Sequence, residues 1–496
     1  MTLHTFDPGQ LVMVDISGIR LDDPTAQFLR EQHIRAVCLF RNNLGSEDQV
    51  RQLVRDLMAV LGPQALIAID QEGGAVVRVP FLPQPPSAMA LGAAFRHDGD
   101  TAPAEEVGAA VARGLKSLGI NWNFAPVLDV NNNAANPVIA ERSFSSDPVE
   151  VSRLAAAWMR GSLREGVACC VKHFPGHGDT HVDSHHDLPT VDKSRAELDA
   201  LELLPFRALA AQAPAVMTAH IVYPQIDPER PATLSPQLIQ GILRDDWGYD
   251  GVVITDALMM KAIADRFGYA RSSVMAIEAG ADMVMALGSR DEQRTALNAL
   301  REAFANGPLT RAQGEAASAR LQRLTQAYPA RVVDDSAQRA KDHALMCLAW
   351  AAGLTVLRGA MPPASSAPLR VIVQGDVPTN QVSEAGLTGK QAAALFEGFA
   401  NVEVCMVDDI AQLDWDSLPR DGRFNVLVTT RRARYGRAAE GWRPDLHLVL
   451  WNPYQALDVA GPTVLTWGFA PGALTGLKAW LAGQAQGNGR APEGIT

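Results

Sequence analysis

Short apolar runs alternate with amphipathic segments along the first two-thirds of the chain. Runs of this length, separated by helical patterns, are typical of buried strands. There are eight of them: Leu11–Ile16, Ala36–Phe40, Ala65–Asp70, Trp122–Asp129, Ala168–His173, Ala215–His220, Gly251–Asp256 and Met283–Ala286. Between them, Ser46 with Gln49 fits a helix capping box, and Gly62-Pro63 ends the helix that follows. Eight strand–helix units predict a (β/α)8 TIM-type barrel, with a doubly wound sheet as the competing fold.

The last third of the chain repeats this alternation on a smaller scale. Residues 331–345 are polar and predict a helical linker. The strands and the final helix predicted beyond it are Leu369–Val373, Val402–Val407, Asn425–Thr429, Leu446–Leu450, Thr463–Thr466 and the amphipathic Ala473–Leu481. We therefore predict a barrel domain at 1–330, the linker, and a smaller α/β sandwich domain with a mostly parallel sheet at 346–496. We expect this second domain to be structural, with an interaction module as the alternative.

Composition and charge narrow the classes of partner. Of 496 residues, 47% are hydrophobic and 20% are charged, and the formal net charge is −11. An acidic chain disfavours nucleic acid and anionic membranes as partners. No apolar run is long enough to span a bilayer, and Met1–Gln10 carries no signal-peptide pattern. The five cysteines show no zinc or redox spacing, so we expect a cytoplasmic protein.

Polar side chains end five of the eight predicted strands. These side chains belong to Asp70, Asp129, Lys172-His173, His220 and Asp256. A buried strand interior rarely accepts such groups without partners. In a (β/α)8 barrel, the carboxyl ends of the strands form the active-site face. The pattern therefore predicts a polar site on that face, although a doubly wound sheet would also place polar groups at strand ends.

The densest polar stretch follows the fifth run. It comprises Lys172–Thr180 and then Asp183-Ser184-His185, and its proline and two glycines keep it from being helical. Histidines recur in it every four residues, namely His173, His177, His181 and His185. On a helix this spacing could chelate zinc, but the proline and glycines argue against a helix. From the residues alone, a metal site, a structural loop and proton-transfer chemistry all stay open.

Two further motifs place carboxylates at strand ends. In Val252–Met260, Asp256 follows four apolar or β-branched residues, which fits either a strand-mouth carboxylate or the N-cap of the next helix. In Ile69–Gly74, Asp70 precedes two glycines, and Arg78 follows. This aspartate and guanidinium could bind sugar hydroxyls from opposite sides, or form a surface ion pair of little worth. The residues leave both choices open.

A fourth motif completes the set. Asn136–Ile139, followed by Glu141–Phe144, fits either a site loop or a surface turn built on Asn-Pro. Together, and in this order over the first two-thirds of the chain, the four motifs resemble those of family 3 glycoside hydrolases. The resemblance is strongest to the β-N-acetylglucosaminidase branch of that family. It implies a glycoside hydrolase that acts on a carbohydrate.

The resemblance also implies roles for individual residues. Asp256 matches the nucleophile of the family, and His185, paired with Asp183 in a mobile Asp-x-His loop, matches the general acid/base. An imidazole titrates near neutrality, so it can donate a proton and later accept one. The sugar-binding positions match Asp70, Arg78, Arg142, Lys172 and His173. No metal and no organic cofactor is implied.

The chain departs from the family pattern at two places. The family commonly has an arginine after the double glycine, where this chain has Ala75. This departure puts a local ion pair or a substrate contact in doubt. Around the nucleophile, the chain reads Thr-Asp-Ala-Leu-Met-Met at 255–260 rather than the commoner Ser-Asp-Asp-Leu-Ser-Met.

The resemblance thus implies a retaining exo-β-N-acetylglucosaminidase that forms a covalent glycosyl-enzyme and acts on cell-wall muropeptides. A phosphorylase is the first alternative, because a histidine acid/base, unlike a carboxylate, does not repel an incoming phosphate. A family 3 β-glucosidase and a catalytically inactive sugar-binding module are the others. The sequence makes no prediction of the oligomeric state.

Overall fold

The larger part of the chain forms a closed barrel of eight parallel strands. The computed structural model describes residues 6–183, 188–334, 336–376 and 386–495. The barrel strands are β1 Val12–Val14, β2 Ala36–Leu39, β3 Leu66–Ile69, β4 Trp122–Asn123, β5 Ala168–Phe174, β6 Ala215–Thr218, β7 Val252–Ala257 and β8 Met283–Met285. Val12 pairs with Val284, and Met13 pairs with Ala36, which closes the ring. The predicted (β/α)8 barrel is confirmed, and the open doubly wound sheet is wrong.

Helices follow every barrel strand and cover the outside of the barrel. They are α1 Asp23–Glu31 after β1, α2 Glu47–Leu61 after β2, α3 Ala88–Asp98 and α4 Ala102–Leu118 after β3, α5 Pro148–Glu165 after β4, α6 Arg195–Ala200 and α7 Leu203–Leu209 after β5, a π-type helix Gln237–Asp246 after β6, α8 Lys261–Phe267 and α9 Tyr269–Glu278 after β7, and α10 Arg290–Asn306 and α11 Arg311–Ala327 after β8. Helix α2 begins at the predicted capping box of Ser46 and Gln49 and ends at Gly62, whose φ is 82°. Within the described residues, no helix has both the length and the apolarity needed to cross a bilayer.

Strand β4 is much shorter than its sequence predicts. The apolar run Trp122–Asp129 suggests one continuous strand, but regular pairing stops at Asn123. The physical reason is Pro126, which has no N–H to donate to a neighbouring strand. Pairing resumes only as an isolated bridge between Val127 and Lys172. Asp129 therefore lies in an irregular segment beyond the end of β4.

A second sheet of six strands follows the barrel. After helix α12 Arg339–Gly353 its elements are β9 Thr355–Leu357, β10 Pro368–Gln374, α13 Gly389–Ala393, β11 Asn401–Val407, β12 Phe424–Thr429, β13 Leu446–Val449, β14 Thr463–Leu465 and α14 Pro471–Leu481. The strand order is β9-β14-β13-β12-β10-β11, and only β9 runs antiparallel to its neighbour. Apolar clusters cover both faces, because Val371 and Ile372 point to opposite sides. The predicted mostly parallel α/β sandwich is confirmed, and β9 is an additional strand.

The two sheets share an apolar contact region. Met89 and Ala90 of α3 and Ala140 of the barrel side pack in one buried cluster with Trp350 of α12 and Trp467 after β14. Polar contacts add to it, since the Trp451 Nε1–H donates to the Glu141 carboxylate at 2.9 Å. Glu141 belongs to residues 136–144, here called the motif segment, which contributes Val138 and Arg142 to the cavity wall. The second sheet therefore lies against the segment that forms one wall of the candidate site.

Candidate functional site

A cavity of about 820 Å³ opens at the carboxyl ends of the barrel strands. Apolar walls come from side chains such as Phe40, Val138 and Met217. Six of the predicted site residues line the cavity: Asp70, Arg78, Arg142, Lys172, His173 and Asp256. These positions converge because all eight parallel strands end on one face of the barrel. The structure thus brings the described sugar-binding candidates and the candidate nucleophile into one space.

Glu72 joins two of the buried cations of the site, Arg142 and Lys172. Its carboxylate accepts two hydrogen bonds from the Arg142 guanidinium, each at 2.8 Å. Its Oε1 also lies 2.7 Å from the Lys172 Nζ, which donates to Asp70 Oδ1 at 2.6 Å. The side chains of Lys172 and Glu72 are only 3% and 6% exposed. The cluster is therefore an ion-pair network shielded from solvent, in which each charge has an opposite partner.

The network fixes the charges of its members. Burial raises the pKa of the Glu72 carboxyl, but Arg142 and Lys172 outweigh burial and bring the pKa well below its usual range. Burial lowers the pKa of Lys172, but Asp70 and Glu72 outweigh burial and raise it above its usual value. The pKa of Arg142 is likewise raised, chiefly by Glu72 against the effect of burial. At neutral pH the cavity therefore presents cationic donors that stay charged.

Arg78 and Asp70 face each other across the start of a small hairpin. Arg78 Nη2 lies 3.6 Å from Asp70 Oδ2, and the Arg78 side chain is 6% exposed. Gln71 Oε1 accepts hydrogen bonds from the backbone N–H groups of Arg78 and Val79 at 3.0 and 3.2 Å. The Gln71 backbone N–H donates to the Asn123 side chain of β4, and the same side chain donates to the Gln71 carbonyl oxygen. A surface ion pair, the alternative interpretation of this motif, is therefore wrong.

The turn of this hairpin explains the double glycine. Gly73 has a φ of 123°, and a Cβ atom there would lie 2.2 Å from the carbonyl oxygen of Pro86. Only glycine fits both the conformation and the space. Ala75, where the family commonly has an arginine, is 1% exposed in the same turn. It does not line the cavity, so at this position the chain contributes packing rather than a polar contact.

Asp129 holds His173 and the loop that follows it. His173 Nδ1 lies 2.7 Å from Asp129 Oδ2, and Asp129 Oδ1 accepts the backbone N–H groups of His173 and His177 at 3.1 and 2.7 Å. On the other side of the ring, Nε2 lies 3.5 Å from Arg142 Nη2. A guanidinium only donates, so Nε2 accepts and Nδ1 carries the proton given to Asp129. The ring orientation is thus fixed from both nitrogens.

The rest of the polar loop is tied down by backbone contacts. His177 is buried, and its Nδ1 lies 2.8 Å from Thr180 Oγ1. The Asn136 side chain donates to the carbonyl oxygens of His177 and Gly178 at 2.8 and 3.0 Å. Burial lowers the pKa of His177 to about 4, against the smaller opposing effect of Asp129. His177 is therefore neutral at physiological pH and serves the loop's architecture.

The histidine spacing does not form a helical zinc site. His173 lies in β5, His177 follows in a turn, and His181 Nδ1 lies 3.2 Å from the Asn133 side chain near the surface. The fourth histidine, His185, lies outside the described residues. Within the described residues, no group of three or more His, Cys, Asp or Glu side chains is arranged to hold a metal ion.

Asp256 is the penultimate residue of strand β7 and is half-buried at the cavity. Its Oδ1 accepts the N–H of Ala257 at 2.7 Å. The next helix, α8, has Met260 rather than Asp256 at its N-cap, so the N-cap interpretation is wrong. His220 is fully buried, and its Nε2–H donates to the Ala257 carbonyl at 3.0 Å. His220, which follows β6, thus stabilises the backbone next to Asp256.

Comparison with known proteins decides the family. Residues 7–324 match the Glycosyl hydrolase family 3 N terminal domain. The chain belongs to glycosyl hydrolase family 3. The predicted resemblance is confirmed, and the closed barrel with its second sheet is the fold expected of this family.

The family 3 relatives include curated enzymes and solved structures. The chain is 40% identical over 298 residues to a β-hexosaminidase of Chromobacterium violaceum, covering 59% of this chain and 83% of the relative. It is 39% identical to β-hexosaminidase A of Pseudoalteromonas piscicida over 52% of this chain, and spans only 47% of that longer relative. A structure of a family 3 β-N-acetylglucosaminidase from Paenibacillus sp. str. FPU-7 is 32% identical, with a TM-score of 0.87, and covers 100% of this chain and 99% of that one.

Only one of the two loop residues implied by the family resemblance lies within the described residues. Asp183 is described, and it is half-buried after the polar loop. Its carboxylate is near enough to His177 and Arg432 to oppose the lowering of both pKa values by burial. His185, the implied acid/base, lies outside the described residues. Its role stays a prediction.

Sequence reasoning missed two carboxylates of this family 3 site. Glu72 lies in the Ile69–Gly74 motif, but the motif predicts no role for it, because its partners Arg142 and Lys172 come from distant segments. Asp15 lines the cavity directly after β1 and accepts hydrogen bonds from the Gly288 N–H and the Gln293 side chain. Burial raises its pKa. An aspartate after an apolar run was the available signal, but the predicted strand ran through it.

Proposed function

We propose that the chain is a retaining exo-β-N-acetylglucosaminidase that removes terminal β-linked GlcNAc through a covalent glycosyl-enzyme. The observation that carries the proposal is the placement of Asp256 in one cavity with Asp70, Arg142 and Lys172. A carboxylate nucleophile at a strand mouth then faces a set of charged donors and acceptors suited to a sugar ring. The names of the relatives, β-hexosaminidase and β-N-acetylglucosaminidase, support the same activity.

In this proposal the charged network binds the non-reducing sugar. Arg142 and Lys172 donate hydrogen bonds to sugar hydroxyls, and Asp70 accepts from them. Both cations already have carboxylate partners, so they need no reorganisation when the sugar enters.

Asp256 attacks the anomeric carbon in the first step. One of its oxygens is oriented by the Ala257 N–H, and His220 binds the carbonyl oxygen of the same residue, Ala257. His185 protonates the leaving oxygen and then, as a neutral base, activates the water that releases the sugar. Asp183 orients the imidazole and stabilises its protonated form. The roles of His185 and Asp183 rest on the family resemblance.

The natural substrate in this proposal is a cell-wall muropeptide that carries a terminal GlcNAc, and the compartment is the cytoplasm. The anionic lactyl and peptide parts of such a substrate would meet local arginine and lysine side chains at the cavity rim, despite the acidic chain as a whole.

The test is the release of 4-nitrophenol and the sugar product from 4-nitrophenyl β-N-acetylglucosaminide, with and without phosphate. We expect free GlcNAc under both conditions, at a rate that phosphate does not change. GlcNAc-1-phosphate with a phosphate-dependent rate would instead establish a phosphorylase. The matched variant Asp256→Ala should bind GlcNAc and lose at least about 10³-fold in rate, and wild-type turnover by this variant would contradict the assignment of the nucleophile.

A further inference from the structure

One arginine of the second sheet region reaches the motif segment of the barrel. Arg432 follows β12, and its Nε–H donates to the carbonyl oxygen of Pro137 at 2.9 Å. Its Nη2–H donates to the carbonyl oxygen of Val138. Two consecutive backbone carbonyls of the barrel are thus bound by one side chain from a position about 300 residues away. A guanidinium is suited to this, since its donors are rigid and point in one plane.

The Val138 carbonyl connects this arginine to the sugar site. The same oxygen accepts a hydrogen bond from Arg142 Nη1 at 3.1 Å. Val138 itself lines the cavity, and Arg142 is held on its other edge by Glu72. Arg142 is therefore fixed between a carboxylate and a carbonyl, and the position of that carbonyl depends on Arg432.

The loop that carries Arg432 is itself held in place. The Asn452 side chain donates to the Arg432 carbonyl at 2.7 Å. The Gln455 side chain donates to the carbonyls of Arg431 and Ala433 at 2.9 and 2.7 Å. Three consecutive carbonyls are thus bound by side chains from the segment after β13. An arginine presented on so constrained a loop can set the geometry of its target rather than follow it.

The charges around Arg432 favour its contact with the barrel. Burial lowers the pKa of Arg432, and Glu141, Asp183 and Glu72 oppose this, while Arg142 adds to it. A guanidinium nevertheless stays protonated in proteins. Arg432 is therefore a permanent cation close to three carboxylates of the barrel side. Its neighbour Arg431, by contrast, pairs with Asp409 inside the second sheet region at 3.0 Å.

We propose that Arg432 is a positioning residue that the second sheet region supplies to the sugar site. It fixes the turn at Pro137 and Val138 and, through the Val138 carbonyl, the orientation of Arg142 toward the sugar. The proposal rests on the proposed function for its kinetic consequence, but its structural content does not. A second sheet that only stabilises the barrel would make no such contribution to sugar binding.

The experiment compares Arg432→Met with Arg431→Met in the full chain. Both variants lose one positive charge and keep a similar stem, but among the hydrogen bonds and ion pairs that these two arginines make within the described residues, only those of Arg432 reach the barrel. We expect Arg432→Met to raise KM for 4-nitrophenyl β-N-acetylglucosaminide about 10- to 100-fold, with a smaller change in kcat. Arg142 binds the sugar equally in the ground state and the transition state, so a displaced Arg142 weakens the binding of both. Arg432→Lys, with charge but without the planar fork, should be intermediate. Arg431→Met should match the wild type.

Hydrogen–deuterium exchange of the same proteins separates this inference from the proposed function. We expect peptides that cover 136–142 to exchange faster in Arg432→Met than in the wild type or in Arg431→Met. Unchanged exchange, together with an unchanged KM, would overturn the inference while the hydrolase stands. Faster exchange in a protein whose wild type hydrolyses no β-GlcNAc would uphold the positioning role and refute the proposed function. Equal losses of kcat in Arg432→Met and Arg431→Met, without an effect on KM, would also overturn the inference.

Discussion

Glu72 pairs with two buried cations of the described site, although the sequence motifs assign it no role. Its carboxylate binds Arg142 through both oxygens and Lys172 through one. All three side chains are almost fully buried. A buried ion pair contributes little compared with apolar packing, but removal of the Glu72 charge leaves Arg142 without its carboxylate partner in a low dielectric and leaves Lys172 with Asp70 alone. The stability of the protein should therefore depend on the glutamate being charged.

Glu72→Gln tests this at the scale of one residue. The change keeps the shape and removes the charge, so Lys172 and Arg142 lose a buried partner. We expect the free energy of unfolding at pH 7 to fall by about 3–5 kcal/mol in urea titrations. The depressed pKa means that the contribution is present above the unfolded value of 4.5 and is lost as the pH falls below it.

The control for this prediction is Glu315→Gln. Glu315 forms an exposed ion pair with Arg311 in α11, and its side chain is 53% exposed. Exposed pairs are worth about 0–1 kcal/mol, so this variant should be close to the wild type. Equal effects of the two substitutions would show that the Glu72 network carries no special share of stability.

At the residue scale the sequence locates carboxylates that follow apolar runs, but it does not identify the partners of charged groups. Asp70 and Asp256 were found because a carboxylate after an apolar run is unusual. Asp15 gave the same signal, but the predicted strand Leu11–Ile16 ran past it. The role of Glu72 could not be seen, because it depends on β3, β5 and the motif segment meeting in space.

The polar loop after β5 acts as one element with the irregular segment after β4. Asp129 and Asn136 bind its backbone, and a Cβ atom on Gly178 would lie 1.7 Å from the Val130 carbonyl oxygen. His177 is enclosed between the two segments and is buried. The loop therefore tolerates a neutral imidazole there but not a charged one.

This predicts a pH dependence of stability. Burial lowers the pKa of His177 from 6.5 to about 4. Between these values the unfolded chain binds a proton that the folded chain does not, so the contribution is complete above pH 6.5 and is lost as the pH falls toward 4. The free energy of unfolding should fall by up to about 1.4 kcal/mol per pH unit from this group alone. His177→Gln should make the fall shallower by about one proton, and an unchanged slope would contradict the assignment.

Apolar runs predicted the barrel strands, but they did not predict where strand pairing stops or where a very short strand joins a sheet. The eight barrel strands were placed from their runs, but β4 stops after Asn123 because Pro126 cannot donate. Strand β9 was missed because its three residues, Thr355–Leu357, form too short a pattern to stand out. Its pairing with β14 is an effect of the second sheet, not of local sequence.

At the scale of the whole molecule, the second sheet and the barrel share a buried boundary. Trp467, which is fully buried, donates its Nε1–H to the Gly353 carbonyl at 2.6 Å and packs with Ala90 and Met89 of α3. Trp451 and Arg432 add polar contacts to the motif segment. Since this boundary resembles a domain core, the two parts should unfold together.

Differential scanning calorimetry of the full chain should therefore show one cooperative transition. Trp467→Ala removes a large side chain from the shared cluster and should lower the single Tm of the whole protein, since such substitutions destabilise by about 3–5 kcal/mol. Two resolved transitions, of which only one moves in this variant, would show that the barrel and the second sheet are energetically independent.

The contacts between the two parts were the least predictable feature of the chain. The alternation of runs announced a second α/β unit, and the division at 1–330, 331–345 and 346–496 remains a prediction. Nothing in the local pattern around Arg432 distinguishes it from Arg431, which has no barrel contact among its hydrogen bonds in the described residues. Such contacts join segments that are hundreds of residues apart in the sequence, so they can be identified only from the folded structure.

In the proposed mechanism Asp256 forms a covalent bond to GlcNAc. The direct measurement is mass spectrometry of the protein after reaction with a 5-fluorinated GlcNAc glycosyl fluoride, which slows release of the glycosyl-enzyme. We predict one added fluorinated GlcNAc residue, located on the peptide that contains Asp256 and absent from Asp256→Ala. A label on another carboxylate, or steady turnover of the reagent to an inverted product without any label, would contradict the account.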